Sequence, residues 1–554
     1  MTDLPDERPA VPGPWLVNRR LALASGGAVA IGAALAGCTG GAASTPTPSA
    51  VDTTQPLAPP LQPGTAIPAG QVEAAAARLD ALIADLLAKS TVPGLATAVV
   101  HRGKVLYAKG FGVRRVGTPG DVGPDTVFQL ASVSKSVGAT VVASQVAGGV
   151  VDWTTPVRRH LPGFALKDAY VSSQLTIADL YAHRSGLPGH AGDLLEDLGY
   201  DQAQILRRLR YLALQPFRIS YNYTNFGMTA AAQAVANAAG LDWASLSERA
   251  LYGPLGMTHT SSRFADYQGH PERAYTHVKI DGAWTPKYVR RPDAQSPAGG
   301  VSSSVNDLAK WMIMVLGDGT GPDGRKIVDP KALTPAVTPQ IVSSPASTAA
   351  ARAGCYGYGF DVTVQSSGRT QVSHSGAFSA GAGTHFLLSP LEGFGIVTLT
   401  NGTPVGAAET LNQQFADLAV YGRPVFDWWA LYSGAFAGLS EPFGELAGKQ
   451  PPANPKPASD PTLLAGTYAN DYVGTALVEA SGSRLTRLRL GPKRTPVALR
   501  HWDGDTYVYE PAGESANPGS VSKLTFARGR GGRASAMTIE YYQQDGMGTF
   551  TRRA

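Results

Sequence analysis

Apolar residues recur at helical spacing soon after residue 70. Between Gln71 and Lys89, Leu79, Leu82, Ile83, Leu86 and Leu87 lie on one stripe, which predicts a helix. Two β-branched, apolar runs follow, Leu95 to His101 and Lys104 to Gly110. They read as strands joined by a turn at Arg102-Gly103. Helical spacing returns from Ser132 to Val146, with Val133, Val137 and Val141 on one side. Thr176-Ile177-Ala178-Asp179 then opens a helix in capping-box style, with Asp where Glu is usual. Further along, Thr384 to Leu388 and Phe394 to Thr400 are strand-like and flank a turn at residues 389–393. Ala407 to Tyr421 is helical again. Strands at both ends of a long helical stretch predict an α+β fold, an antiparallel sheet flanked by helices with a helical lobe inserted.

The pattern changes beyond residue 447. Pro451, Pro452, Pro455 and Pro457 make residues 448–460 a semi-rigid linker. From 461 to 554 short alternating runs such as Arg487-Leu488-Arg489-Leu490 are separated by Gly-containing turns. This predicts a small all-β, barrel-like domain. The catalytic-size domain therefore spans residues 71–447.

The N-terminus reads as an address. Arg19-Arg20 precede an apolar stretch from Leu21 to Ala36, too short to span a bilayer comfortably, which ends in Leu35-Ala36-Gly37-Cys38. Residues 1–37 are expected to be a signal peptide. Cys38 resembles the lipidated cysteine of a bacterial lipobox, which implies anchoring in the cell envelope through acyl chains. Asn18 to Leu23 is similar to a twin-arginine export signal. Residues 38–70, rich in Thr, Pro, Ser, Gly and Ala, are expected to be a disordered tether. With only Cys38 and Cys355 in the chain, a disulfide framework is excluded, and Cys355 is expected to be a buried structural thiol.

Composition narrows the class. Of 554 residues, 43% are hydrophobic and 16% charged, as in ordinary globular proteins. The formal net charge is +5, and its densest basic run is Arg207, Arg208 and Arg210 opposite Leu206, Leu209 and Leu212. That is the pattern of a solvated helix face, and no nucleic-acid partner is expected.

Three short motifs bear on chemistry: Ser132-Val133-Ser134-Lys135, Tyr223-Thr224-Asn225 and His374-Ser375-Gly376. Each has a second occurrence, at Ser520-Val521-Ser522-Lys523, Tyr468-Ala469-Asn470 and His190-Ala191-Gly192. Context separates them. Residues three apart at a helix start share a face, so Lys135 can reach Ser132. Ser520 precedes a strand-like run, where residues three apart point to opposite sides. A serine hydroxyl needs such a neighbouring base to become a nucleophile, and a lysine is one only if its pKa is lowered. A tyrosine near two cations could serve as a phenolate for the same reason. Taken singly, Ser132 reads as a helix N-cap, Tyr223 as a core aromatic, Asn225 as a cap and His374 as a strand histidine.

Together and in order, the three motifs resemble the class C β-lactamases, D-Ala-D-Ala carboxypeptidases and their esterase relatives over roughly residues 71–425. The runs Leu175 to Leu180, His183 to Pro188, Pro254 to Thr258 and Pro297 to Val301 are similar too. The C-terminal module resembles a β domain often appended to such hydrolases. The resemblance implies Ser132 as acylated nucleophile, Lys135 as its proton partner and Tyr223 as general base. Asn225 would bind the substrate amide or hold Lys135. The backbone N–H groups of Ser132 and Ala377 would form an oxyanion hole, and Gly376 would let substrate lie against its strand. His374 stands where many β-lactamases carry lysine, which shifts the expectation towards an esterase or D-peptidase. Peptidoglycan-like or small-molecule substrates are implied, with no cofactor. No Gly-x-Ser-x-Gly, His-Glu-x-x-His, paired Cys-x-x-Cys or Walker loop occurs, so an α/β-hydrolase or metal enzyme is not expected. The alternatives are a β-lactamase, a sensor that acylates and stalls, and a binding role centred on the β domain.

Overall fold

The computed structural model describes residues 66–553. The expected signal peptide, Cys38 and the expected tether as far as residue 65 lie outside the described residues.

Eight strands form one antiparallel sheet. They are β1 (Gly94–His101), β2 (Lys104–Gly112), β3 (Ile341–Ser344), β4 (Gly354–Tyr356), β5 (Asp361–Val364), β6 (Thr370–Phe378), β7 (Ala382–Ser389) and β8 (Phe394–Thr400), in spatial order β2-β1-β8-β7-β6-β5-β4-β3. Register is continuous across the centre, with Leu95 opposite Thr400 and Gly376 opposite Thr384. Strands β1, β7 and β8 are buried along their whole length, because helices cover both faces.

One face packs against α1 (Gln71–Ala76), α2 (Leu79–Ser90) and the helix Ala407–Tyr421, through Leu79, Ile83, Leu86, Leu411 and Phe415 on Leu387 and Ile396. The helix expected over 71–89 is thus two helices. Ala77 and Arg78 flatten to ψ −17° and −4°, which interrupts the i→i−4 ladder. The other face packs against α3 (Val133–Ala147) and the helix Val305–Leu316. Trp311 there meets Phe386 edge-on at 4.9 Å.

The inserted lobe carries α4 (Ile177–Tyr181), α5 (Asp193–Asp197), α6 (Gln202–Arg208) and α7 (Asn225–Ala239). The capping box at α4 forms with aspartate: Thr176 accepts from the Asp179 amide, and Asp179 from the Thr176 amide. The fully buried Asp179 carboxylate also receives Arg184 and Arg218. Burial pushes its pKa up, but these donors outweigh it and hold it below the usual value.

Nine antiparallel strands between residues 466 and 552 form the C-terminal domain. Its edge strands, Thr495–Ala498 and Arg500–Asp503, follow each other across Leu499, so the sheet curls into a near-barrel. Two expectations are corrected here. Arg208 is not simply part of a solvated face: its guanidinium donates to the Asp471 and Tyr472 carbonyls at 2.7 and 2.8 Å, clamping the lobe to the barrel. Cys355 is half-buried on β4, not enclosed, because it sits near the sheet edge. A helix not foreseen from the sequence, Trp428–Leu439, precedes the Pro-rich linker. The linker runs along the barrel, where Lys456 and Ser459 amides donate to Asp503 and Asp505.

Candidate active site

Ala131 precedes the nucleophile candidate with φ 47°, in the left-handed region. That strained turn delivers Ser132 to the start of α3. Ser132 occupies the N-cap position with helical angles, and its side chain makes no capping bond. Its Oγ instead accepts from Lys135 Nζ at 3.0 Å and from the Tyr223 hydroxyl at 2.7 Å. The ordinary N-cap role is therefore not the one this serine plays.

Lys135 is wholly buried. Its amine has two other partners, Asn225 Oδ1 at 2.7 Å and the Ala298 carbonyl at 2.9 Å. Burial lowers its pKa to about 7, against a partly opposing pull from the Asp193 carboxylate. Both partner oxygens can only accept. A neutral amine has two hydrogens, and the two carbonyl oxygens take them. Its lone pair is then left for Ser132.

Tyr223 and Asn225 come from the entry to α7, with Thr224 at the N-cap. The Tyr223 ring lies under the amine, 4.5 Å from Nζ to its centroid. Burial pushes the phenol far above its usual pKa, so it is a proton donor here, not a phenolate. No charged imidazole stands beside it to lower it. His183 and His374 are both buried and pushed below their usual values, His374 to about 3, first by burial and then by Lys135. The conditional charge expected of His374 is therefore absent at neutral pH. Its Nδ1 faces the Ser375 carbonyl at 2.6 Å, which can only accept, so Nε2 takes a hydrogen bond from the Tyr356 hydroxyl at 2.9 Å. The His374 ring stands 6.3 Å from the Tyr223 ring.

Gly376 has a packing role that the sequence did not show. A Cβ there would lie 2.3 Å from both the Leu130 carbonyl and Thr384 Oγ1, and 3.1 Å from the Ser132 amide. The missing side chain lets β6 close onto the nucleophile turn. Ala377 follows it on β6, opposite Gly383.

The structure thus gathers Ser132, Lys135, Tyr223 and Asn225 into one bonded group, with Gly376 and Ala377 alongside and His374 behind Tyr223. Two of the repeated motifs stay apart, whereas His190-Ala191-Gly192 lies beside the site, the His190 amide donating to the Tyr223 carbonyl at 2.8 Å. Ser520 Oγ accepts from the Phe443 amide, Lys523 pairs with Glu445, and the Tyr468 hydroxyl donates to the Leu464 carbonyl. Four contributors escaped the sequence reading: His183, Tyr356, Asp193 and the Ala298 carbonyl. His183 and Ala298 lie in runs already noted, and Asp193 follows directly on His190-Ala191-Gly192. A main-chain carbonyl leaves no residue-type signal. Among the described residues, no group of three or more His, Cys, Asp or Glu side chains is placed to hold a metal ion.

This fold and site define a beta-lactamase-type hydrolase. The beta-lactamase family profile matches residues 79–420, more than half of the chain, and the chain belongs to this family of serine hydrolases. A domain of unknown function, DUF3471, matches residues 450–549. Penicillin-binding protein 4 of Amycolatopsis lactamdurans is 30% identical over 69% of this chain and 94% of its own. Unguisins hydrolase ungD' of Aspergillus campestris is 27% identical over 69% of this chain and 72% of its own. Esterase EstB of Burkholderia gladioli is 31% identical over 42% and 68%. The octameric penicillin-binding protein homologue from Pyrococcus abyssi shares the fold, with TM-score 0.54, 18% identity and coverage of 84% of this chain and 98% of that one.

Proposed function

We propose that the protein hydrolyses an ester, amide or D-amino-acid peptide through an acyl-enzyme on Ser132. The observation that carries this reading is the buried Lys135 amine, pKa about 7, 3.0 Å from Ser132 Oγ and otherwise bonded only to the Asn225 and Ala298 oxygens. In this reading Lys135 takes the serine proton as Oγ attacks the carbonyl. The Tyr223 hydroxyl, already donating to Oγ, hands a proton towards the leaving group and recovers one from the Lys135 side. The amides of Ser132 and Ala377 stabilise the developing oxyanion. Water then repeats the sequence on the ester.

The neutral His374 favours esterase or D-peptidase action over β-lactamase action. It offers no fixed positive charge to a β-lactam carboxylate. Nitrocefin, p-nitrophenyl esters and D-Ala-D-Ala peptides, assayed side by side, test this. Turnover of the esters or peptides above nitrocefin is expected. Ser132→Ala should lower it on the order of 10⁴-fold or more. Near-normal turnover by that variant would sink the assignment, and a stable mass adduct on Ser132 without turnover would favour a sensor. We also infer export and lipid anchoring at Cys38 from the Leu35-Ala36-Gly37-Cys38 sequence. Cys38→Ser should release the protein from the membrane fraction.

A further inference from the structure

We propose that Asp193 is a positioning residue for the nucleophile, acting on Lys135 through the side-chain amide of Asn225 from a short helix braced by the C-terminal barrel. The inference rests on the acyl-enzyme reading above. Asn225 Nδ2 donates to Asp193 Oδ2 at 2.9 Å, while Asn225 Oδ1 accepts from Lys135 Nζ at 2.7 Å. A carboxylate can only accept, so it dictates which end of the amide faces it. The other end, the carbonyl oxygen, is thereby turned to the amine. An amide flipped the other way would point its NH₂ at Nζ. The lone pair of a neutral lysine would then be drawn to Asn225 instead of Ser132.

The carboxylate is itself held firmly. His190 Nδ1 lies 2.9 Å from Asp193 Oδ2, and Asp193 Oδ1 is buried with no hydrogen-bond partner among the described residues. The Gly192 amide, one residue before Asp193, donates to the Tyr472 hydroxyl of the barrel at 2.9 Å. Tyr200, just beyond α5, donates to the Val473 carbonyl at 2.8 Å. The barrel therefore grips both ends of the short helix that presents Asp193.

The charged and titratable groups around Lys135 are few. Tyr223 is at the entry to α7, His183 follows α4, His374 is on β6, and Asp193 is on α5. The phenol is neutral, and both imidazoles are neutral through burial. Asp193 is the one group that favours the protonated amine. Removing its charge should ease deprotonation of Lys135 while spoiling the aim of its lone pair.

Asp193→Asn tests this in the full chain with a p-nitrophenyl ester. We expect kcat to fall about tenfold or more, with KM within about twofold, because Asp193 touches no reacting atom. The acid limb of kcat/KM should move down by about half a pH unit or more. Asp193→Ser, a smaller side chain, is expected to do the same and serves if the amide variant does not fold. An unmoved acid limb with unchanged kcat overturns the proposal. So does a lower kcat with an unmoved limb, which marks a structural role only. Ser132→Ala, run in parallel, separates the two levels. If it stays active the acyl-enzyme reading itself fails, whereas a dead Ser132→Ala beside a parent-like Asp193→Asn refutes only this inference.

Discussion

At the scale of single residues, the site depends on how burial treats three proton-bearing groups. It pulls the Lys135 amine down to about 7 and pushes the Tyr223 phenol up, so the phenol keeps its proton and the amine is the group that can lose one near neutral pH. It also keeps His374 neutral. The sign of the pH dependence follows. Lys135 must be deprotonated to act, so kcat/KM should fall about tenfold per unit as pH drops below about 7. A pH profile on a neutral ester checks this, and a flat profile down to pH 5 would contradict it. Tyr223→Phe keeps the ring under the amine and removes only the donor to Ser132. It should lower kcat on the order of 10²-fold, less than Ser132→Ala. The residue types at Ser132, Lys135, Tyr223 and Asn225 were all legible in the sequence. The direction of each pKa shift was not, because it depends on enclosure by chain segments as far as 163 residues apart.

At the scale of elements, α3 and β6 meet at Ser132. The left-handed Ala131 sharpens the turn into α3, and Gly376 lets β6 press against it. Gly376→Ala would force a Cβ to 2.3 Å from the Leu130 carbonyl and Thr384 Oγ1, atoms of neighbouring elements that cannot both yield. The strand must shift by a sizeable fraction of an ångström. The expected result is a loss of activity on the order of 10²-fold or more, with weaker labelling of Ser132 by a fluorophosphonate probe. Periodicity placed these elements well. The capping box at α4 formed as read, and strands β7 and β8 extend the expected runs by at most two residues at an end. The break at Ala77–Arg78 was invisible, since apolar spacing runs through it. Gly376 was singled out for its place beside substrate, and its packing role against Leu130 and Thr384 was not legible. A sequence shows that a side chain is missing but not which atoms occupy the space.

At the scale of the molecule, the barrel is part of the catalytic body. Buried residues of the lobe, such as Leu194, Leu195 and Tyr200, and of the barrel, such as Tyr472 and Val473, form one continuous apolar core. Glu514 of a barrel loop accepts from the Ser379 amide just past β6, and Asp197 accepts from the Glu514 and Ser515 amides at 2.9 and 3.0 Å. Arg208→Ala would remove two donors to barrel carbonyls and is expected to cost about 1 to 3 kcal/mol in urea unfolding. Equal stability would show that the clamp adds nothing. The sequence marked the barrel as a separate module by its linker and alternation. Nothing local in it revealed that the two bodies share a core.

Local pattern determined the α+β class and the position of the elements that open and close the large sheet, because periodicity and capping are properties of neighbours along the chain; the quartet was singled out by the resemblance of the ordered motifs. Tertiary structure alone decided which way each pKa moves, why Gly376 must be bare, that Asp193 stands behind Asn225, and that the barrel contacts the loop and helix beside the site. Those outcomes depend on dielectric surroundings, atomic clearance and hydrogen-bond direction between distant segments, none of which exists before the chain has folded.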